Sequence, residues 1–292
     1  MWASKLSAPY RVDQGKGFRL KNFDPTDTGQ CPSKAHAREL LDKGIADMRR
    51  LQDKLYAQDR WALLIILQAL DAAGKDGLVK HVMSGMNPQG CQVYSFKQPS
   101  QEELNHNYLW RAAVRLPERG HIGIFNRSYY EEVLVVRVHP DFLKNERIPV
   151  ELVGKKIWQD RFDDIVNFER HLTRNGVVIR KFFLNLSKEE QERRFMARLD
   201  TPRKNWKFSA ADVRERQFFD DYLTAFEEMI AATSKKHAPW YVVPADNKWY
   251  TRAVVGGAIV DALEGLQLSY PKMSAPQRKE LDEARKELSK SS

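Results

Sequence analysis

The sequence predicts one α/β domain built around a mainly parallel sheet flanked by helices. Two observations carry this. WALLIILQ (Trp61–Gln68) is a continuous apolar run without polar alternation, the pattern of a strand buried on both faces. Strand-like and helix-like segments then alternate to the end of the chain, as in a sheet assembled from crossover units. No internal repeat and no Gly-, Ser- or Pro-rich linker divides the 292 residues.

Taken in order, residues 1–33 carry Gly15, Gly17, Pro25, Gly29 and Pro32 with little periodicity and read as an extended arm. From Ser33 to Gln58, Leu40, Leu41, Ile45, Met48, Leu51 and Leu55 recur at helical spacing. After the apolar run come a turn with a helix near Gly77–Met83, a strand at Gln92–Phe96 and a helix near Gln101–Leu116. A strand at His121–Phe125 precedes a helix from about Ser128, whose later part, Val133–Val138, is β-branched enough to pass for a strand. Leu152–Thr173 reads as helix and Val177–Leu186 as strand. Ser187 with Glu190 has the spacing of a capping box opening a helix to Leu199, and Ser209 with Asp212 opens a long helix to about Ala232. Trp240–Pro244 is a last strand and Trp249–Leu266 a last helix. The expected layout is an arm (1–33), a single domain (34–269) with a helical lid over about 187–232, and a polar tail (270–292).

Composition narrows the function. Hydrophobic residues make up 42% and charged residues 30%, enough apolar mass for a large core, which excludes a wholly disordered chain. No apolar run approaches the ~20 residues of a membrane span, and the N-terminus lacks the apolar stretch of a signal peptide. Cys31 and Cys91 are the only cysteines, too few for a disulfide framework or a cysteine-based zinc site. A soluble cytoplasmic protein is expected. The formal charge of +9 favours polyanionic partners: nucleic acid, acidic membrane, nucleotides or other phosphate chains.

The strongest chemical signal is ILQALDAAGKDG (Ile66–Gly77), where a buried strand gives way to a small-residue turn and Gly74-Lys75 opens a helix. Such a turn binds phosphate because backbone N–H groups converge at a positive helix end and the lysine adds a full charge. Ala73, Gly74, Lys75, Asp76 and Gly77 are therefore candidate phosphate contacts. The pattern departs from G-x-x-x-x-G-K-[ST] at Ala69 and Asp76, so an ordinary strand-to-helix turn with an exposed lysine is the alternative. A carboxylate at Asp71 would repel phosphate unless a cation lay between them, which makes Asp71 a candidate magnesium ligand. An Asx-type turn stabiliser is the other reading.

HIGIFNRSYYEE (His121–Glu132) puts Asn126 and Arg127 just past a strand, at the sheet edge where open α/β sheets bind ligands. Arg127 can grip phosphate in a bidentate manner. Glu131, a helical turn on, could meet a metal or a nucleotide; a surface Arg–Glu pair is the alternative. Between Arg193 and Lys207 stand Arg193, Arg194, Arg198, Arg203, Lys204 and Lys207 with Asp200 the only acid. A break at Thr201-Pro202 makes this a helical hairpin with a basic tip, either a lid that closes over phosphates or a solvated face. No HExxH spacing and no G-x-S-x-G elbow occurs, which disfavours a zinc enzyme and an α/β-hydrolase.

LQALDAAGKDG, MNPQGCQVYSF, GIFNRSYYEEVLVVRVHP, KFFLNLSKEEQ, TPRKNWKFS and PWYVVPADNKWYTR together resemble the polyphosphate kinase 2 family, over about Gly15 to Leu266. The run from Asn126 to Glu131 is similar to the class III branch. The resemblance implies a three-layer P-loop kinase-like fold with a mobile lid, Mg²⁺ as cofactor, and reversible phosphoryl transfer from inorganic polyphosphate to AMP and ADP, yielding ATP. The Ala69 and Asp76 departures are themselves features of that family. It further implies that Asp71 and Lys75 hold metal and phosphates, that Arg127 steadies the phosphate in transfer, and that Asn126 and Glu131 serve the nucleotide, Glu131 also the metal. Lys80, Lys181, Arg194, Arg198, Lys204 and Lys207 would line a polyphosphate path or lid. It implies a homo-oligomer with no nucleic-acid or membrane partner, and leaves guanine nucleotides open as further acceptors. Two rivals remain: an ATP-dependent nucleoside or nucleotide kinase of the same architecture, and a non-enzymatic protein that binds nucleic acid or another polyanion.

Overall fold

A computed structural model describes residues 2–29, 31–207 and 209–290, with Lys204, Lys207 and Lys290 by backbone alone. The N-terminal segment is folded onto the domain and is not the extended arm expected. Helix α1 (Trp2–Ser7) lies against the last long helix, and strand β1 (Arg11–Val12) pairs with the sheet. Gly257 permits the approach of α1, since a Cβ there would stand 3.1 Å from the Ala3 carbonyl oxygen. Elements this short carry no readable period; tertiary contact alone selects them.

Helix α2 (Lys34–Gln58) begins at Ser33, whose Oγ accepts the His36 amide at 3.1 Å. It buries Met48, Leu51 and Leu55 along one face. There follow β2 (Ala62–Gln68), α3 (Lys75–Val82), β3 (Cys91–Ser95), α4 (Gln101–Leu104), α5 (Trp110–Ala113), β4 (Ile122–Asn126), α6 (Val135–Val138) and α7 (Ile157–Arg174). The second half comprises β5 (Val177–Asn185), α8 (Lys188–Leu199), α9 (Ala210–Glu215), α10 (Phe219–Thr233), β6 (Trp240–Pro244), α11 (Lys248–Glu264) and the exposed α12 (Ala275–Lys290).

Two expected helices are broken. The one drawn over Gln101–Leu116 is only the short pieces α4 and α5, because Asn105-His106-Asn107 intervenes and Asn107 Oδ1 caps the Leu109 amide at 3.1 Å. The long helix drawn from Ser209 is interrupted by a 3₁₀ turn at Arg216–Phe218, which lets Phe219 enter the core while α9 stays outside it. Val133–Val138 is helical, not strand.

The sheet runs β1-β6-β5-β2-β4-β3, parallel except for β1 against β6. On β2 the side chains alternate between two cores. Leu63, Ile65 and Leu67 meet α2, α3 and α11 residues such as Met48, Leu78 and Val254. Leu64 and Ile66 meet Phe162, Ile165 and Phe226 of α7 and α10. Three layers result, helices–sheet–helices, and β2 is buried along its whole length, as its unbroken apolar run requires. After β2 the chain leaves toward the first face through α3; after β4 it leaves toward the second through Tyr129 and Tyr130. That divergence opens a crevice at the C-terminal ends of β2 and β4. Among the described residues no helix is long and apolar enough to cross a membrane.

Candidate active site

The turn after β2 occupies the crevice. Gly74, at φ 102°, caps α3, and a Cβ there would find no atom nearer than 3.7 Å; the backbone angle, not space, requires glycine. Lys75 reaches back and its Nζ donates to the Ala69 carbonyl at 2.7 Å and toward that of Leu70 at 3.4 Å. Burial, then the nearby Arg127 guanidinium, pull the Lys75 pKa below the ordinary lysine value, against the pull of Asp71, Glu131 and Asp76. Asp76, where a strict motif has a hydroxyl, accepts from Asn126 Nδ2 at 2.9 Å.

Arg127 is placed by its backbone. It sits at φ 66°, and its amide donates to the Leu67 carbonyl at 3.0 Å, carrying the β2–β4 pairing one step beyond the strand. Its guanidinium then bridges Asp71 Oδ1 at 3.0 Å and Glu131 Oε2 at 3.3 Å. The Asp71 carboxylate thus accepts from Arg127 rather than from an amide of its own turn. Glu131 first, then Asp71, hold the Arg127 pKa above its ordinary value despite burial. Asp212 of α9 is raised by burial and then by the Asp71 charge.

Three cavities meet here. A cleft of about 860 Å³ is lined by the loop from Asp71 to Gly77 and by the cations Lys97, Arg127, Arg198, Lys248 and Arg252. A second, of about 450 Å³, has Phe96, His106, Tyr108, Val135 and Phe142 on its walls and shares Lys97, Gln98 and Arg127 with the first. A third, of about 430 Å³, lies beneath α9 between Asp71, Glu131, Asp212 and Glu215. Arg127 and Gln98 line all three. Helix α9 is tied across the opening by Arg198 Nη1 of α8 to Asp212 Oδ2 at 3.3 Å and by His139 Nε2 to Glu215 Oε2 at 3.0 Å.

Asp71, Ala73, Gly74, Lys75, Asp76, Gly77, Asn126, Arg127, Arg194 and Arg198 all line the main cleft, and Glu131 the two beside it. Lys80 is exposed on α3, outside the lining, although its charge is felt by His81 together with that of Arg252. The side chains of Lys204 and Lys207 lie outside the described residues; their backbone forms the 3₁₀ turn Pro202–Lys207 that follows α8.

Lys181 is a correction. Its side chain and that of Glu169 are both 0% exposed, and its Nζ donates to Glu169 Oε2 at 2.6 Å, Tyr130 Oη at 2.8 Å and the Thr233 carbonyl at 2.9 Å. It stands mid-strand on β5, and β5 lies between β2 and β6 with helices on both faces, so it reaches no polyanion. The capping-box expectation is half right. Ser187 Oγ accepts the Glu190 amide at 3.1 Å, but the Ser187 amide donates to Asp246 Oδ1 at 2.9 Å and Glu190 turns to Arg194. Lys97, Lys248, Thr251, Arg252 and Asp212 also line the cleft, and no phosphate-binding pattern in the sequence marks them. Lys97 stands two residues past β3, near the strand-end position of Asn126 and Arg127, and Lys248 opens α11 after the turn that follows β6.

A family model described as "Polyphosphate kinase 2 (PPK2)" matches residues 32–270. An "ADP-polyphosphate phosphotransferase" of Rhodopseudomonas palustris is 52% identical over 284 residues, covering 94% of this chain and 98% of that one. An "AMP/ADP-polyphosphate phosphotransferase" of Meiothermus ruber is 44% identical over 263 residues, covering 90% and 94%. The crystal structure of Polyphosphate Kinase 2 from Arthrobacter aurescens TC1 superposes with a TM-score of 0.86 at 42% identity, over 95% of this chain and 96% of that one. The three-layer architecture is therefore P-loop kinase-like, and with similarity of this degree along nearly the full length of each relative, the chain belongs to the polyphosphate kinase 2 family.

Proposed function

We propose that the chain transfers phosphoryl groups reversibly between inorganic polyphosphate and adenine nucleotides, converting AMP to ADP and ADP to ATP. The observation that carries this is the junction at Arg127. On one side lies a cleft floored by a phosphate loop and walled by cations; on the other lies a cavity with aromatic walls suited to a nucleoside. The names of the Rhodopseudomonas and Meiothermus relatives support polyphosphate as donor and AMP or ADP as acceptor.

The reaction asks for placement and charge neutralisation more than for a covalent nucleophile. A terminal oxygen of the nucleotide phosphate, already anionic at neutral pH, attacks the end phosphorus of the polymer. The P–O bond to the next phosphate breaks, and the polymer leaves one unit shorter. Loop amides and Lys75 hold the donor phosphates, Arg127 at the junction neutralises the group in transfer, and the lid helices exclude water.

Mg²⁺ fits the donor chemistry: Asp71 and Glu131 are hard carboxylates flanking the transfer point, and the charge of Asp71 already weighs on Asp212. These residues would hold the ion, which supplies neutralisation of phosphate charge. Asp71→Asn is expected to lower turnover and to raise the Mg²⁺ concentration for half-maximal rate by at least about tenfold. A drop with unchanged metal dependence would restrict Asp71 to placing Arg127.

The direct test incubates the purified protein with Mg²⁺, AMP and polyphosphate in the absence of ATP. ADP should accumulate, then ATP. A strict ATP requirement would assign the chain to ATP-dependent kinases, and ADP use without AMP use would narrow the acceptor. Parallel reactions with GMP and GDP read the purine range.

A further inference from the structure

Arg194 was expected to line the path of the polyanion, yet its donors are fully engaged by the protein. Nε donates to Glu190 Oε1 at 2.6 Å, Nη1 to the carbonyls of Ala72 at 3.1 Å and Ala73 at 2.8 Å, and Nη2 to those of Ala245 at 2.6 Å and Asp246 at 3.0 Å. A guanidinium has five N–H donors in a fixed planar fork, and each has an acceptor here. The side chain is 8% exposed.

The acceptors belong to three elements: helix α8, the phosphate loop and the β6–α11 turn. Neighbours on α8 reinforce the grip. Gln191 Nε2 donates to the Asp71 carbonyl at 3.2 Å, and Ser187 Oγ donates to Asp246 Oδ2 at 2.6 Å. The turn is itself held by the N-terminal segment, through the Asp246 amide to the Pro25 carbonyl at 3.1 Å and Asn247 Nδ2 to that of Thr26 at 3.2 Å. Ala72 sits at φ 64°, a conformation that a non-glycine residue keeps only where its surroundings enforce it. Arg194 takes two successive carbonyls, those of Ala72 and Ala73. In a trans peptide the N–H points opposite to the C=O, so fixing the Ala73 carbonyl against Arg194 directs the Gly74 amide away from it.

We infer that Arg194 is a positioning residue, which shapes the phosphate loop by binding its carbonyls to the base of the lid and to the β6–α11 turn, and makes no phosphate contact of its own. The kinetic arm of the test rests on the polyphosphate reading; the exchange arm does not. Arg194→Lys keeps the charge and removes the fork. It is expected to lower kcat at least about tenfold through misplacement of the loop. The polyphosphate KM should stay within about twofold, and its dependence on salt should be unchanged because no displaced counterions are lost. Hydrogen exchange of the amides of residues 72–77, measured on the free protein, should accelerate. Retained kcat with a raised polyphosphate KM and a shallower salt dependence would overturn the inference and make Arg194 a phosphate contact.

Should Arg194→Lys not fold, Glu190→Gln decides. Positioning requires a lower kcat and faster loop exchange; tighter polyphosphate use at unchanged kcat would overturn it. Normal loop exchange in either folded variant also overturns it. A wild-type protein inactive with polyphosphate would count against the functional reading alone.

Discussion

Lys75→Ala is expected to lower kcat by about 10²–10³, the scale on which removal of one preorganised electrostatic donor is felt. Two losses combine. The cleft loses the cation that its loop contributes, and the loop loses the tie from Nζ to the Ala69 carbonyl. The fold should survive, because the substitution trims a half-buried chain at the cleft wall without opening the apolar core. Steady-state kinetics beside a thermal melt checks this. A near-normal rate would remove Lys75 from the reaction, and an unfolded variant would make it a structural residue.

The same lysine sets a pH dependence. Burial and the Arg127 charge lower its pKa from the ordinary 10.5, so in the free enzyme the ammonium loses its proton earlier than an exposed lysine as pH rises. Bound phosphate favours the charged form and moves the pKa back up. The alkaline limb of kcat/KM, which reports the free enzyme, should therefore lie at lower pH than that of kcat, which reports the complex. Coincident limbs would mean that Lys75 does not face the phosphates.

Much of the fold was legible because burial on both faces leaves a mark in sequence. β2 reads as strand from its apolar run, and the turn after it reads as phosphate-binding from Gly74-Lys75 following a strand. The misreadings occur where a partner distant in the chain decides the structure. The N-terminal segment has no period to display, since α1 and β1 exist through contacts with α11 and β6. The expected helix over Gln101–Leu116 is broken at Asn105-His106-Asn107, where the Asn107 side chain takes the Leu109 amide.

At the site, position at a strand end marks residues that line the cleft, whereas net positive charge does not by itself do so. Asn126 ends β4 and Arg127 follows it, and both line the cleft, as do Lys97 just past β3 and Lys248 at the start of α11. Charge alone does not distinguish a cation aimed at a ligand from one that binds carbonyls. Arg194 and Arg198 are four residues apart on α8, yet Arg194 is clamped to the phosphate loop while Arg198 reaches across to Asp212. That difference depends on loops remote in sequence, so spacing could not reveal it.

Lys181→Met gives the sharpest separation between a buried structural cation and a polyanion contact. On β5, Ile179 and Phe183 stand two residues either side of Lys181 and belong to the core against α7 and α10. The period of two along a strand therefore puts Lys181 in that core. Burial pulls its pKa down, and the Glu169 carboxylate opposes the fall. Tyr129 and Tyr130 also donate to Glu169 Oε1, at 2.9 and 2.7 Å, so the buried charges and hydroxyls form one satisfied network. Removing the lysine strands the Glu169 charge and the Thr233 carbonyl, a loss of about 3–5 kcal/mol for a broken buried pair or roughly 10 °C in Tm. Glu169→Leu added to Lys181→Met should recover part of this by removing the stranded charge, although both tyrosine hydroxyls then lose an acceptor. The melts carry the decision. A polyphosphate KM that rises in Lys181→Met with Tm unmoved would return Lys181 to the phosphate path, whereas a large fall in Tm partly reversed in the double variant identifies the buried pair as what holds the Tyr129-Tyr130 turn, and with it Arg127 and Glu131, against the second core.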